Sequence, residues 1–134
     1  MLVDYNEIRE ILTTCKTIAV VGLSPKSKRP SHQVASYLLE AGYTIIPVNP
    51  GQSQILGQTC YPNLSSIHVA VDLVNIFRRS EDVSPWVDEA IKIKAKVVWM
   101  QEGIINYEAA DKARLHGLRV VMDRCTKTDH ADLL

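Results

Sequence analysis

Five short runs of apolar, largely β-branched residues punctuate this chain, and stretches of helical periodicity separate them. The runs are Thr17–Gly22, Tyr43–Val48, Ala70–Phe77, Lys96–Met100 and Leu118–Met122. In the first, Ile18-Ala19-Val20-Val21 shows no alternation with polar residues. A strand of that kind is buried on both faces, as in a parallel sheet, whereas a strand with one wet face alternates. The intervening stretches have the other period. Asp4 to Cys15 places Ile8, Ile11, Leu12 and Cys15 on one helical face. A second helix opens at Pro30 or Ser31, turns Val34, Ala35, Leu38 and Leu39 inward, and meets Gly42 where a C-terminal cap glycine belongs. A third spans Ser80 to Ile93, with Val83, Trp86, Val87, Ala90 and Ile91 inward and Ser80, Glu81, Asp82 and Pro85 near its start. Asn106 can cap a fourth that ends at His116-Gly117. Asn49 to Pro62 reads as a long loop, and the tail from Asp123 reads as polar, without an element.

This alternation predicts an α/β domain whose five strands form a mostly parallel, doubly wound sheet with helices on both faces. Numbering strands along the chain, the expected order is 3-2-1-4-5. A length of 134 residues suits one domain, spanning 1–134, and no linker or repeat divides it. In such a sheet a ligand lies across the carboxyl ends of the strands, here expected near a switch point between strands one and four. The segments to search are 22–29, 48–52, 76–80 and 100–105.

Charge narrows the ligand. Fifteen basic residues balance fifteen acidic ones, so no global field draws the chain to nucleic acid or to an anionic membrane. The apolar runs are strand-sized and none spans a bilayer. The N-terminal Met-Leu-Val-Asp-Tyr-Asn-Glu has no basic region followed by an apolar one, so no signal peptide is expected. Cys15, Cys60 and Cys125 are odd in number with no CxxC spacing, which suits a reducing cytoplasm.

Anion chemistry gathers at the first turn, Gly22-Leu23-Ser24-Pro25-Lys26-Ser27-Lys28-Arg29. Gly22 allows a sharp turn and close approach of backbone to ligand. The helix that follows points free N–H groups at the crevice. Ser24 and Ser27 can donate hydrogen bonds, and Lys26, Lys28 and Arg29 add positive charge with no acid between them. Together they suit a pyrophosphate; an ordinary solvated loop is the competing reading. The G-x-G-x-x-G dinucleotide fingerprint is absent, as are the P-loop and the G-x-S-x-G elbow. The second run ends Val48-Asn49-Pro50, with a neutral amide where an NAD site usually has an acid. An amide does not repel a phosphorylated ribose, which favours coenzyme A or NADP; alternatively Asn49 is a turn former. The third run leaves through Ile76-Phe77-Arg78-Arg79. Arginines at a carboxyl edge grip phosphate with paired donors, and Ile76 and Phe77 could wall an adenine or pantetheine arm. Arg79 is the better candidate for pairing with Glu81 or Asp82. The fourth run ends Gln101-Glu102-Gly103 in the crevice. Glu102 is a carboxylate without a partner, a weak signal for a general base, and a hydrogen-bonding or structural role is preferred. The scattered histidines and the group Cys125, Asp129 and His130 match no strong zinc spacing, so no metal is expected. Cys125 is either a thiol in an exposed tail or a small buried residue.

Taken in order, Val20-Val21-Gly22-Leu23-Ser24, Pro47-Val48-Asn49-Pro50, Val74-Asn75-Ile76-Phe77-Arg78-Arg79, Val98-Trp99-Met100-Gln101-Glu102-Gly103 and Val121-Met122-Asp123-Arg124-Cys125 resemble the small stand-alone CoA-binding proteins. These are relatives of the N-terminal CoA-binding domain of the succinyl-CoA synthetase α subunit. The similarity runs from about residue 10 to the tail. It implies a Rossmann-like fold with CoA or acyl-CoA across the carboxyl edge. The implied contacts are Gly22, Leu23, Ser24, Lys26, Arg29, Val48, Asn49, Pro50, Ile76, Phe77 and Arg78, with Gln101, Glu102 and Gly103 near the thiol end. The synthetase's phosphorylated histidine lies in a further domain that has no counterpart here. A non-catalytic CoA-binding module is therefore expected. The alternative is a small enzyme using NADP or an acyl-CoA through Glu102 or Cys125.

Overall fold

A computed structural model of the chain describes residues 3–134. Met1 and Leu2, the start of the stretch read for a leader, lie outside the described residues. Helix α1 (Tyr5–Thr14) begins on Asp4, whose side chain accepts the Glu7 N–H at 3.0 Å. Strand β1 (Thr17–Val21) follows, then α2 (Pro30–Glu40) and β2 (Thr44–Val48). The segment read as a long loop holds a two-stranded hairpin, β3 (Gln54–Ile55) and β4 (Gln58–Thr59), and a single 3-10 turn at Leu64–Ser66 follows it. Strand β5 (Leu73–Ile76) leads through a second 3-10 turn, Ser80–Asp82, into α3 (Val83–Lys92). Strand β6 (Val97–Met100), α4 (Tyr107–Leu115), β7 (Arg119–Val121) and α5 (Thr126–Leu133) complete the chain. The sequence reading missed α5, which occupies the polar tail.

The large sheet is wholly parallel and five-stranded, as its unalternated apolar runs require. Alternate residues divide the core. Ala19, Val21, Val74, Ile76, Val98 and Met100 pack under α3 and α4. Ile18, Val20, Leu73, Val97, Trp99 and Val121 pack under α1 and α2.

The order is β2-β1-β5-β6-β7. Counting only strands of this sheet it is 2-1-3-4-5, which corrects the expected 3-2-1-4-5. Pro47 supplies a physical reason. Proline has no N–H to give a ladder, so it belongs at an edge. The expected order would have placed β2 between two neighbours. Instead β2 pairs only with β1 in the large sheet, and the Pro47 carbonyl faces outward, where it accepts the Tyr61 N–H at 3.0 Å. The chain after β2 passes to the far side of β1 before it re-enters the sheet as β5. The switch point therefore lies between β1 and β5, and not between the first and fourth strands.

Candidate functional site

The carboxyl ends of β1 and β5 frame a cleft of about 620 Å3. Gly22, the first residue past β1, takes φ +82°, a left-handed conformation that favours glycine. Its N–H donates to the Val48 carbonyl at 3.0 Å. A side chain at Gly22 would set its Cβ 2.3 Å from the Phe77 carbonyl oxygen and 3.2 Å from Arg78 Cδ. The two lips of the cleft meet at this backbone-to-backbone contact.

The turn beyond Gly22 is held from below. The Ser24 N–H donates to Ser31 Oγ at 3.0 Å, and Ser24 Oγ accepts the Lys26 N–H at 3.1 Å. His32 Nδ1 lies 2.9 Å from the Ser24 carbonyl oxygen. Pro30 occupies the first position of α2, and the residue before it, Arg29, supplies no side-chain cap. The positive end of that helix is thus directed at the cleft. Lys26 and Arg29 from one lip and Arg78 from the other line the space, and among the described residues none of the three forms an ion pair. Arg79 also lines it but holds Asp82 at 2.9 Å, and that carboxylate raises the guanidinium's pKa, as a hydrogen-bonded partner should.

Six of the sequence-derived residues therefore line one cleft: Gly22, Ser24, Lys26, Arg29, Phe77 and Arg78. Pro30, Ser31 and Ile104 line it as well and were not anticipated as contacts, while Arg79 lines it in the pairing with Asp82 expected of it. The remaining candidates do not line this cleft. Leu23, Val48 and Ile76 are fully buried in the core. Asn49, at the end of edge strand β2, has both ends of its amide engaged. Its Nδ2 donates to the Leu23 carbonyl at 3.0 Å, and its Oδ1 accepts the Gly51 N–H at 2.9 Å. It ties the first turn to β2, and Pro50 beside it is exposed. Gln101 is buried, its Nε2 donating to Asn75 Oδ1 at 2.6 Å and to Thr126 Oγ1 at 3.0 Å. Glu102 is exposed. Gly103 takes φ +86° in a turn where an added Cβ would meet open space, and its N–H donates to Asp123 Oδ1 at 2.6 Å. The corrected sheet order explains this division, because Asn49 and the Gln101-Glu102-Gly103 turn each stand one strand away from the β1/β5 switch point.

The cysteines carry no disulfide. Cys15 and Cys60 are buried, and burial pushes both thiols up, away from the reactive thiolate. Cys125 is half-buried at the residue before α5 and does not line the cleft. Among the described residues no three of His, Cys, Asp and Glu gather as metal ligands, and no helix is long and apolar enough to cross a membrane.

Comparison with known proteins places this geometry in context. The chain is 44% identical over 125 residues to the uncharacterized protein YneT of Bacillus subtilis (strain 168), covering 93% of each. A hypothetical protein from Pyrococcus horikoshii OT3 superposes with a TM-score of 0.95 at 43% identity, over 98% of this chain and 92% of that one. An alignment of 120 positions that covers 82% of this chain is 28% identical to acetate–CoA ligase [ADP-forming] I of Archaeoglobus fulgidus, but spans only 18% of that much longer protein. Residues 16–131 match the profile of a family described as "CoA binding domain", from the start of β1 to within α5. The chain belongs to that CoA binding domain family.

Proposed function

We propose that this protein binds coenzyme A or an acyl-CoA without performing chemistry on it, holding the nucleotide across the carboxyl ends of β1 and β5. The observation that carries the reading is the convergence of Lys26, Arg29 and Arg78, unpaired among the described residues, on the cleft where Gly22 brings the two lips together. Unpaired guanidinium and ammonium groups beside a helix N-terminus are matched to the phosphates of CoA. Phe77, on the same cleft, offers an apolar wall. The ligase relative supports CoA as the nucleotide. The reading has the cleft presenting its cargo to a partner protein or reporting its level. An enzyme working through Glu102 or Cys125 gains no support from the cleft, since neither residue lines it.

Thermal unfolding with added nucleotides tests the reading. CoA at about 100 times its dissociation constant adds roughly 2.7 kcal/mol of stability, which at this size raises Tm by on the order of 5 °C or more. NAD, NADP and ATP are run alongside. Arg78→Ala should weaken CoA binding by about 1–3 kcal/mol, the range for a lost charge-assisted hydrogen bond. A shift with NADP and none with CoA would overturn the assignment, and undiminished affinity in Arg78→Ala would remove that side chain from the site.

A further inference from the structure

The two edges of the large sheet are finished differently. At β2, Pro47 withholds an N–H and Tyr61 lies alongside in a parallel bridge to Val48, so the edge is blunted. At the other edge, β7 pairs only with β6, and nothing among the described residues hydrogen-bonds along its outer side. The Arg119 N–H donates inward to Lys96. Alternation then turns the N–H and C=O of Val120 and Met122 outward. Beyond its shortness, three residues, this strand carries few of the usual protections: it has no proline, and its single charged residue, Arg119, has its side chain drawn aside to Glu10 at 3.0 Å. A groove of about 370 Å3 runs along it. Of seven large apolar residues that stand exposed in the described chain, three line this groove: Val3, Ile105 and Tyr107. Such clustering at one open edge marks an interaction surface.

We propose that the occupant is a second copy of this chain, with β7 of one copy running antiparallel to β7 of the other across a two-fold axis, joining the two sheets into one of ten strands. The open edge of β7 and the spacing of one aromatic and one cation along the helix beside it select a second copy. Helix α4 flanks the edge, running opposite to β7, and its Tyr107 and Arg114 both face the groove. They stand seven residues apart, on one face of the helix, with Tyr107 at the carboxyl end of the sheet and Arg114 at the amino end. A two-fold between antiparallel β7 strands brings the carboxyl end of one copy to the amino end of the other. Tyr107 then meets Arg114 of the second copy, twice, as an aromatic face against a guanidinium. Outward groups of Val120 and Met122 supply the strand-to-strand hydrogen bonds. This groove shares no lining residue with the cleft, and the proposal stands or falls independently of the cleft's ligand.

The test is the solution mass of the full chain by sedimentation or light scattering. The unaltered protein is expected at about twice the 15.0 kDa of one chain. Tyr107→Lys sets two like charges at each contact and should weaken association on the order of thirtyfold or more, two aromatic–cation pairs being lost at once. The double variant Tyr107→Lys/Arg114→Glu restores opposite charges across the two-fold and should restore the dimer. Both side chains are exposed, and unfolding curves verify that each variant is folded. A single-chain mass for the unaltered protein overturns the proposal. So does a dimer that Tyr107→Lys leaves intact, or a double variant that stays a monomer.

Discussion

Gly22 does two jobs with one missing atom. Its left-handed φ of +82° turns the chain out of β1, and its bare Cα lets the Phe77 carbonyl approach to where a Cβ would be only 2.3 Å away. Gly22→Ala therefore combines a conformational cost of about 1–2 kcal/mol with overpacking against backbone, which typically costs about 1–3 kcal/mol. The clash cannot be relieved by rotating a side chain, so β5 must shift, and the cleft with it. We expect urea unfolding of Gly22→Ala to show a loss of roughly 3 kcal/mol and CoA affinity to fall with it; a variant matching the unaltered protein in both would refute this account of the lip contact. The glycine itself was legible in the sequence, because a lone glycine after a buried strand signals a turn. Its partner was not, since only the strand order reveals that Phe77 sits opposite. Asn49 teaches the complementary lesson. Its neutrality reads as tolerance of a ribose phosphate, yet its amide is spent on Leu23 and Gly51, and no spacing in the sequence distinguishes those uses.

Elements announced by apolar periodicity were readable, and those held by hydrogen bonds were not. Helix α5 is the clearest case. Its fully buried positions are Thr126 and Asp129, and no apolar stripe marks it. Polar ties hold it instead. Arg124 clamps Asp129 through two 2.7 Å bonds, a pairing that raises the guanidinium's pKa. Tyr37 Oη meets His130 Nδ1 at 2.8 Å. At the start of the helix, Thr126 Oγ1 accepts from Asn75 Nδ2 at 3.1 Å and from Gln101 Nε2 at 3.0 Å. A buried network of this sort is stabilising only while complete. Thr126→Val keeps the shape and removes the acceptor, stranding the Asn75 amide in the core. That should cost about 1–3 kcal/mol in chemical denaturation, while Thr126→Ser, which keeps the hydroxyl, retains most of the stability. A larger loss in Thr126→Ser than in Thr126→Val would show that the methyl, and not the hydrogen bonds, secures the helix. Pro47 was a signal of the same concealed kind: present in the sequence, and enough to place β2 at an edge once its missing N–H is weighed against the expected interior position.

Across the whole molecule, the β1/β5 pair is both the middle of the cleft and the seam where the chain's order departs from expectation. Its amino end is fastened by one carboxylate. Asp72 Oδ2 accepts the N–H groups of Lys16 at 2.8 Å and Thr17 at 3.0 Å, while Oδ1 faces Lys96 Nζ at 3.3 Å. Partial burial pushes this carboxyl's pKa up, but the two backbone donors and Lys96 together outweigh it, and the net shift is below the ordinary 3.8. A carboxyl lowered on folding binds protons more readily in the unfolded chain, so its contribution is complete above the unfolded value and is lost as pH falls through the folded one. Stability from this group should therefore be level across neutral pH and decline only below about pH 4. Asp72→Asn keeps an acceptor but no charge, and at neutral pH should cost about 1–2 kcal/mol. Urea unfolding of both proteins as a function of pH measures the difference. The gap should narrow as acid protonates Asp72 in the unaltered protein, because the two then carry equally neutral groups at the seam. A gap that stays constant from neutral pH into the acid range would mean that shape, and not charge, makes the fastening. Because the same two strands carry Gly22 and Phe77 at their other ends, acid release of this seam should loosen the cleft as well as the fold.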